Sequence, residues 1–359
     1  MNINAPLSIR RRMGLEIFRR LENERTEEHQ LKQLFWECTL RCNLHCRHCG
    51  SDCKKIAGHP DMPKEDFLRV LDSVSAQNDP HKIFVIITGG EPLMRKDLEE
   101  CGRAIYERGF PWGMVTNGLY MTRERLNGLL DAGLHTATVS LDGFATDHNW
   151  MRGNPQSFER AVEAIKLMVQ VPDFVFDVVT CVNKHSYMRL EELKDFLISL
   201  GVKGWRLFTI FPVGRAAKDP ELQLSNEEFR GVMEFIRKSR KEGRIHVSYG
   251  CEGFLGNYEA EVRDTFFACR AGISVGSVLI DGAISACPSI RADHQGNIYE
   301  NDFMEVWNHR FKPYRDREWM KKDECADCKY FRFCKGNGMH LRDENGDLLF
   351  CHLKRLQTP

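Results

Sequence analysis

Along the chain, short apolar stretches rich in Val, Ile, Thr and aromatic residues alternate with segments whose apolar positions recur every three to four residues. The first kind suits strands and the second amphipathic helices. The strand-like stretches fall at roughly 33–37 (QLFWE), 82–88 (KIFVIIT), 112–116 (WGMVT), 136–141 (TATVSL), 174–181 (FVFDVVTC) and 205–211 (WRLFTIF). The helical patterns fall at roughly 64–77, 97–109, 123–133, 155–170, 189–201 and 226–242. Ser225 and Glu228 are spaced as a capping box at the start of the last helix. Strand–helix alternation builds parallel sheets through right-handed crossovers. Six such units are fewer than the eight of a closed barrel and predict an α/β fold, a partial (β/α)6 TIM-like barrel over residues 31–242. A doubly wound sheet is the alternative on pattern alone. After about residue 243 the alternation stops, and seven of the fourteen cysteines lie between 251 and 351 among Gly, Asp and Asn. Residues 243–359 therefore read as a second domain held by metal rather than by a broad apolar core.

Composition narrows the function classes. Lys+Arg and Asp+Glu both number 51 in 359 residues, so no global field favours nucleic acid. No apolar run reaches membrane-spanning length. The opening residues are basic but lack the apolar core of an export signal, which predicts a cytoplasmic protein. Fourteen cysteines in that setting point to metal or redox chemistry rather than disulfides.

Cys42, Cys46 and Cys49 are spaced C-x3-C-x2-C directly after the first strand-like stretch. That places them on the loop at the strand's C-terminal end, where parallel barrels do chemistry. Three thiolates hold three irons of a cubane cluster and leave a fourth open to a ligand. A zinc site, with Cys38 or Cys53 as a further ligand, and unligated thiols are the alternatives. "TGGEPL" follows the second strand with Gly89, Gly90 and Glu91; glycines permit close approach of a ligand, and a carboxylate pairs with an ammonium. "VTNG" ends the third strand with Thr116, Asn117 and Gly118, and "VSLDG" ends the fourth with Ser140 and Asp142. Arg152 follows in "NWMRGNPQSF", and "FPVGRA" follows the sixth strand. Each alone reads as a turn or helix cap.

Taken together and in this order, these motifs resemble the radical S-adenosylmethionine (SAM) superfamily, over residues 31 to about 242. The resemblance implies a catalytic [4Fe-4S] cluster on Cys42, Cys46 and Cys49. It implies SAM contacts from Gly89, Gly90, Glu91, Asn117, Ser140, Asp142 and Arg152, with 211–216 lying against the adenosine. The position before the third cysteine, usually aromatic in that family, is His48. One-electron cleavage of SAM to a 5′-deoxyadenosyl radical, followed by hydrogen abstraction from substrate, is the implied chemistry. The implied electron donor is a flavodoxin or ferredoxin.

The C-terminal spacing is similar to the SPASM extension of peptide- and protein-modifying members of that superfamily, which carries one or two auxiliary clusters. Cys325, Cys328, Cys334 and Cys351 are implied to hold one complete cluster. A zinc ribbon, which wants paired C-x2-C knuckles, is the alternative. The family's next cysteine position is Gly338, which leaves Cys251, Cys269 and Cys287 to hold either a three-thiolate cluster or none. The aspartate that sulfatase-maturating relatives place after the G-x4-C cysteine is Pro288, which argues against formylglycine formation; Asp281 and Asp293 are nearby carboxylates without motif support. Cys101, Cys181, Cys38 and Cys53 read as packing or spare thiols. Residues 1–30 read as a basic helical segment with apolar residues near 9, 13, 14 and 17, capping the bottom of the barrel. Its arginines offer an alternative contact with phospholipid headgroups. This lead-in resembles the radical SAM partners of lipoprotein systems in anaerobic bacteria. The expected substrate is a residue in a peptide or protein. A small molecule or tetrapyrrole, and a zinc-stabilised binding protein without catalysis, are the alternatives.

Overall fold

The computed structural model describes residues 6–250 and 252–358. Helix α1 (Ile9–Glu28) precedes β1 (Gln33–Glu37). The alternation then runs α2 (Lys64–Ser75), β2 (Phe84–Thr88), α3 (Leu98–Glu107), β3 (Trp112–Thr116), α4 (Arg123–Asp131) and β4 (Leu134–Ser140). It continues through α5 (Ala145–Arg152), α6 (Ser157–Val169), β5 (Val175–Val182), α7 (Lys184–Tyr187), α8 (Leu190–Leu200), β6 (Gly204–Thr209), α9 (Asn226–Glu242) and β7 (His246–Tyr249). The last part holds β8 (Val275–Val278), β9 (Ala283–Ser285), β10 (Gly296–Asn297), α10 (Phe303–His309), α11 (Lys312–Arg315), α12 (Phe331–Cys334) and α13 (His352–Gln357).

All six expected strands form within two residues of their predicted ends, and β1 to β7 pair in parallel in chain order, as a partial barrel requires. The Ser225–Glu228 capping box opens α9. The pattern misses two barrel helices, α5 and the four-residue α7. "ATDHNWMR" buries only His148, Met151 and Arg152, and its turn ends on a left-handed glycine, Gly153.

Three expectations about the rest of the chain change. The sheet does not stop at residue 242: β7 adds to β6, and β8 pairs in parallel with β1, extending one ten-stranded sheet in the order β10-β9-β8-β1-β2-β3-β4-β5-β6-β7. The C-terminal part also has an apolar core. Phe303, Trp307, Phe311 and Tyr314 are buried in contact with one another and join the same cluster as the barrel interior. Apolar burial thus holds this part to the barrel independently of any cluster. Finally, α1 packs on the C-terminal part rather than under the barrel. Leu15 is buried with Phe254, Phe267 and Leu353, Arg11 pairs with Glu261 at 2.7 Å, and Glu22 pairs with Arg270 at 2.9 Å.

Candidate active site

The loop from Cys38 to Cys53 leaves β1 and is gripped by the ends of the other strands. Gly90 N–H donates to the Thr39 carbonyl (2.7 Å) and Glu91 N–H to that of Arg41 (2.9 Å). From the other side, Arg47 N–H donates to Met151 C=O (2.8 Å), and Arg215 N–H donates to Cys49 C=O (3.0 Å). A Cβ on Gly89 or Gly90 would stand 2.2 or 2.3 Å from the carbonyl oxygens of Thr39 and Arg41, and Gly89 has a φ of +143° that side chains disfavour. The two glycines are therefore needed for close approach of the cysteine loop itself. This packing role stands beside the ligand approach that the motif implies.

Cys42 and Cys46 are buried, Cys49 is half-buried, and all three line one cavity of about 170 Å³ at the C-terminal ends of the strands. Gly89, Gly90, Glu91, Thr116, Asn117, Ser140 and Arg152 line it too. Asp142 does not. It is fully buried behind Arg152, whose Nε donates to it at 2.6 Å, and its other oxygen accepts from Cys181 N–H at 2.9 Å. Asp142 therefore positions Arg152, whose second nitrogen faces the Cys46 sulfur at 3.8 Å. Glu91 is likewise engaged by protein: its oxygens accept from Asn117 N–H (2.7 Å), Thr116 Oγ1 (2.8 Å) and Leu93 N–H (3.1 Å). It ties the end of β2 to the end of β3.

The electrostatics follow from burial. Desolvation pushes the Cys42 thiol up to about 12 and raises that of Cys46, so both stay protonated unless a metal's charge draws the proton off. Cys49 goes the other way, pulled down chiefly because the Cys53 thiol donates to it. Burial opposes ionisation of Asp142, but Arg152 outweighs it and the carboxyl falls to about 2. Burial and Arg152 together drive His48 down to about 4, leaving a neutral imidazole in the cavity wall with a buried Nδ1 that has no partner. Burial raises Glu91 despite its donors.

Two residues of the site escaped sequence reasoning. Cys53, read as a packing or spare thiol, is buried on the wall of the same cavity. Arg215, within "FPVGRA", lines the cavity, and its Nε donates to Cys46 C=O at 2.7 Å. Its motif was visible in sequence, but its contact with the loop was not. Cys38 and Cys101 are fully buried away from the cavity, on either side of Arg95. Cys181 is half-buried at the end of β5, its sulfur close to His48 and Asp142.

In the C-terminal part, Cys325, Cys328, Cys334 and Cys351 converge. Asn337 N–H donates to the Cys334 sulfur (3.2 Å) and Arg342 faces that of Cys325 (3.9 Å), contacts suited to thiolates. Cys269, Cys334 and Cys351 all pack against one small apolar cluster. Cys287 follows β9, and Cys251 lies outside the described residues. A Cβ on Gly338 would stand 2.7 Å from both the Glu252 carbonyl oxygen and the His340 ring, so the fold has no room there for a cysteine side chain. Asp281 turns back on Ala283 N–H (3.1 Å) and Asp293 on Gln295 (3.0 Å); neither lines the barrel cavity. A buried Glu252, not foreseen, accepts from Thr209 N–H (2.8 Å) and His352 (3.2 Å) and from the Tyr249 hydroxyl, joining the ends of β6 and β7 to the C-terminal part.

A cluster fits these donors better than a single ion does. Four thiolates on one tetrahedral zinc stand roughly 3.8 Å apart, from Zn–S distances of about 2.3 Å. Among the described residues, the only three Cys, His or carboxylate ligand atoms within 4.8 Å of one another are those of His48, Asp142 and Cys181. Arg152 already neutralises that carboxylate. Neither cysteine set is drawn in to that spacing, whereas a cubane holds its thiolates further apart.

Residues 36–197 match the family model of the radical SAM superfamily, and 269–329 match that of an iron-sulfur cluster-binding domain, SPASM. The chain is 27% identical over 336 residues to an AdoMet-dependent heme synthase of Methanosarcina barkeri, covering 88% of this chain and 93% of that protein. It is 23% identical over 304 residues to a PqqA peptide cyclase of Rhizobium meliloti, covering 82% and 78% respectively. Among solved structures, SuiB of Streptococcus suis bound to S-adenosylmethionine superimposes with a TM-score of 0.70 at 18% identity, over 88% of this chain and 76% of that one. That likeness carries the fold.

Proposed function

We propose that this chain, a radical SAM enzyme with an iron–sulfur SPASM domain, acts on a tetrapyrrole. The match to a heme synthase over nearly the full length of both chains carries this reading. It departs from the expected peptide substrate.

The residue roles in this reading are as follows. Cys42, Cys46 and Cys49 hold a [4Fe-4S] cluster, and Gly89, Gly90, Arg47 and Arg215 fix the loop that presents them. When bound, that cluster and SAM supply a 5′-deoxyadenosyl radical able to take a hydrogen atom from substrate. Arg152, held in place by Asp142, would meet the SAM carboxylate. Glu91 and Asn117 shape the end of the cavity that takes the amino group, and the neutral His48 ring offers a flat face to the adenine. Cys325, Cys328, Cys334 and Cys351 would hold an auxiliary cluster, and Cys251, Cys269 and Cys287 would hold a second one. Bound at these cysteines, auxiliary clusters would supply one-electron redox chemistry.

The test uses anaerobically reconstituted protein with SAM and a strong reductant. It is offered, separately, an iron porphyrin bearing propionate side chains and a panel of cysteine-containing peptides. The reading requires formation of 5′-deoxyadenosine coupled to a mass change in the porphyrin. Turnover of a peptide with the porphyrin untouched would overturn it and restore the peptide reading.

A further inference from the structure

Helix α1 presents two unlike faces. One is anchored: Leu15 is buried, Phe18 meets Phe266 edge-on at 5.6 Å, and Arg11, Glu16 and Glu22 are paired with Glu261, Arg332 and Arg270 of the C-terminal part. The other face carries Ile9, Met13, Ile17 and Leu21, spaced four residues apart and 78%, 62%, 61% and 44% exposed. Four large apolar side chains in line on a solvent face mark an interaction surface rather than scattered exposure. Arg10, Arg12 and Arg20 flank this stripe and are exposed. Arg20 is 74% exposed and only loosely paired with Glu16, at 3.9 Å. Besides the paired Glu16 and Glu22, the acidic residues of the helix lie at its far end, at Glu24, Glu27 and Glu28.

We infer that the first three turns of α1 dock on an anionic lipid bilayer, with the helix lying in the interface plane. Apolar side chains enter the acyl boundary while arginines at their flanks meet headgroup phosphates, a pairing that needs both halves of this pattern. A second copy of the chain is the competing occupant, and the charges disfavour it. With the stripes in register, a parallel pair sets Arg10 on Arg10 and Arg20 on Arg20, and an antiparallel pair sets Arg10 against Arg20. An anionic surface turns the same arginines into attractions. The whole chain has a net charge of +0, so the attraction is a property of this patch.

The experiment is co-sedimentation of the full chain with vesicles of phosphatidylcholine alone and with added phosphatidylglycerol, at low and high salt. Binding is expected only with the anionic lipid, weakening as salt rises. Each arginine near such a surface is worth about a fivefold change in partition. The triple variant Arg10→Ala/Arg12→Ala/Arg20→Ala therefore loses roughly a hundredfold. Ile9→Ser/Met13→Ser/Ile17→Ser loses binding while the circular dichroism and iron content stay those of the wild type, because none of these side chains is buried. Equal sedimentation with both vesicle types, or binding that survives the apolar triple, overturns the inference. So does a dimer in analytical ultracentrifugation that the apolar triple dissolves, since it assigns the face to a second copy.

Discussion

Replacing Gly90 by alanine separates two reasons for a glycine beside the three cysteines. The added Cβ would stand 2.3 Å from the Arg41 carbonyl oxygen, 2.7 Å from its carbon and 2.9 Å from the Leu40 carbon. These are all backbone atoms, which cannot rotate aside. Restoring contact distance moves the loop by roughly 1 Å. That movement breaks the Gly90–Thr39 and Glu91–Arg41 bonds, worth about 0.5–1.5 kcal/mol each. Overpacking adds about 1–3 kcal/mol. The total, about 2–6 kcal/mol, falls on the residues next to Cys42, and displacing the loop is easier than unfolding the barrel. Gly90→Ala should therefore keep most of its thermal stability. It should reconstitute with about four fewer irons per chain, lose the catalytic cluster's low-temperature EPR signal, and form no 5′-deoxyadenosine. A variant that takes up full iron and differs only in SAM affinity would refute the reasoning, because the glycine would then serve the ligand and not the loop.

Cys42→Ala/Cys46→Ala/Cys49→Ala should abolish 5′-deoxyadenosine formation while the iron held by the C-terminal cysteines remains, since these three cysteines lie outside the apolar core that packs the C-terminal part on the barrel; loss of all iron would contradict this. Glu91→Gln should lower the melting temperature as well as SAM affinity, because an amide donor would face Asn117 N–H or Thr116 and cost about 1–3 kcal/mol. An unchanged melting temperature would mean that the carboxylate serves the ligand alone. Asp142 has its folded-state pKa depressed from 3.8 to about 2. Its contribution is therefore present above pH 3.8 and is lost as the pH falls toward 2, so acid titration of the metal-free protein should show a steeper loss in wild type than in Asp142→Asn. Cys269→Ala and Cys287→Ala should each lower iron by about four per chain, and an unchanged count would remove the second auxiliary cluster.

The alternation of β-rich and amphipathic segments determined the barrel, strand by strand, because each strand's apolar run and each helix's stripe are local properties. The cysteine spacings and the strand-end motifs likewise placed the candidate ligands, because loop position follows from element order. Only tertiary structure decided what those motifs touch. Gly90 meets the Arg41 carbonyl oxygen, Asp142 stands behind Arg152 instead of in the cavity, and Cys53 shares the wall with Cys49. Each of these depends on how closely segments far apart in the chain approach, and no periodicity encodes that distance. The same holds for β8, which joins β1 from more than two hundred residues away, and for α1, whose buried face was set by the C-terminal part it packs on. A helix with apolar residues on two sides does not itself say which side is covered; the partner surface of Phe254, Phe266 and Phe267 chose Leu15 and left Ile9, Met13 and Ile17 to solvent.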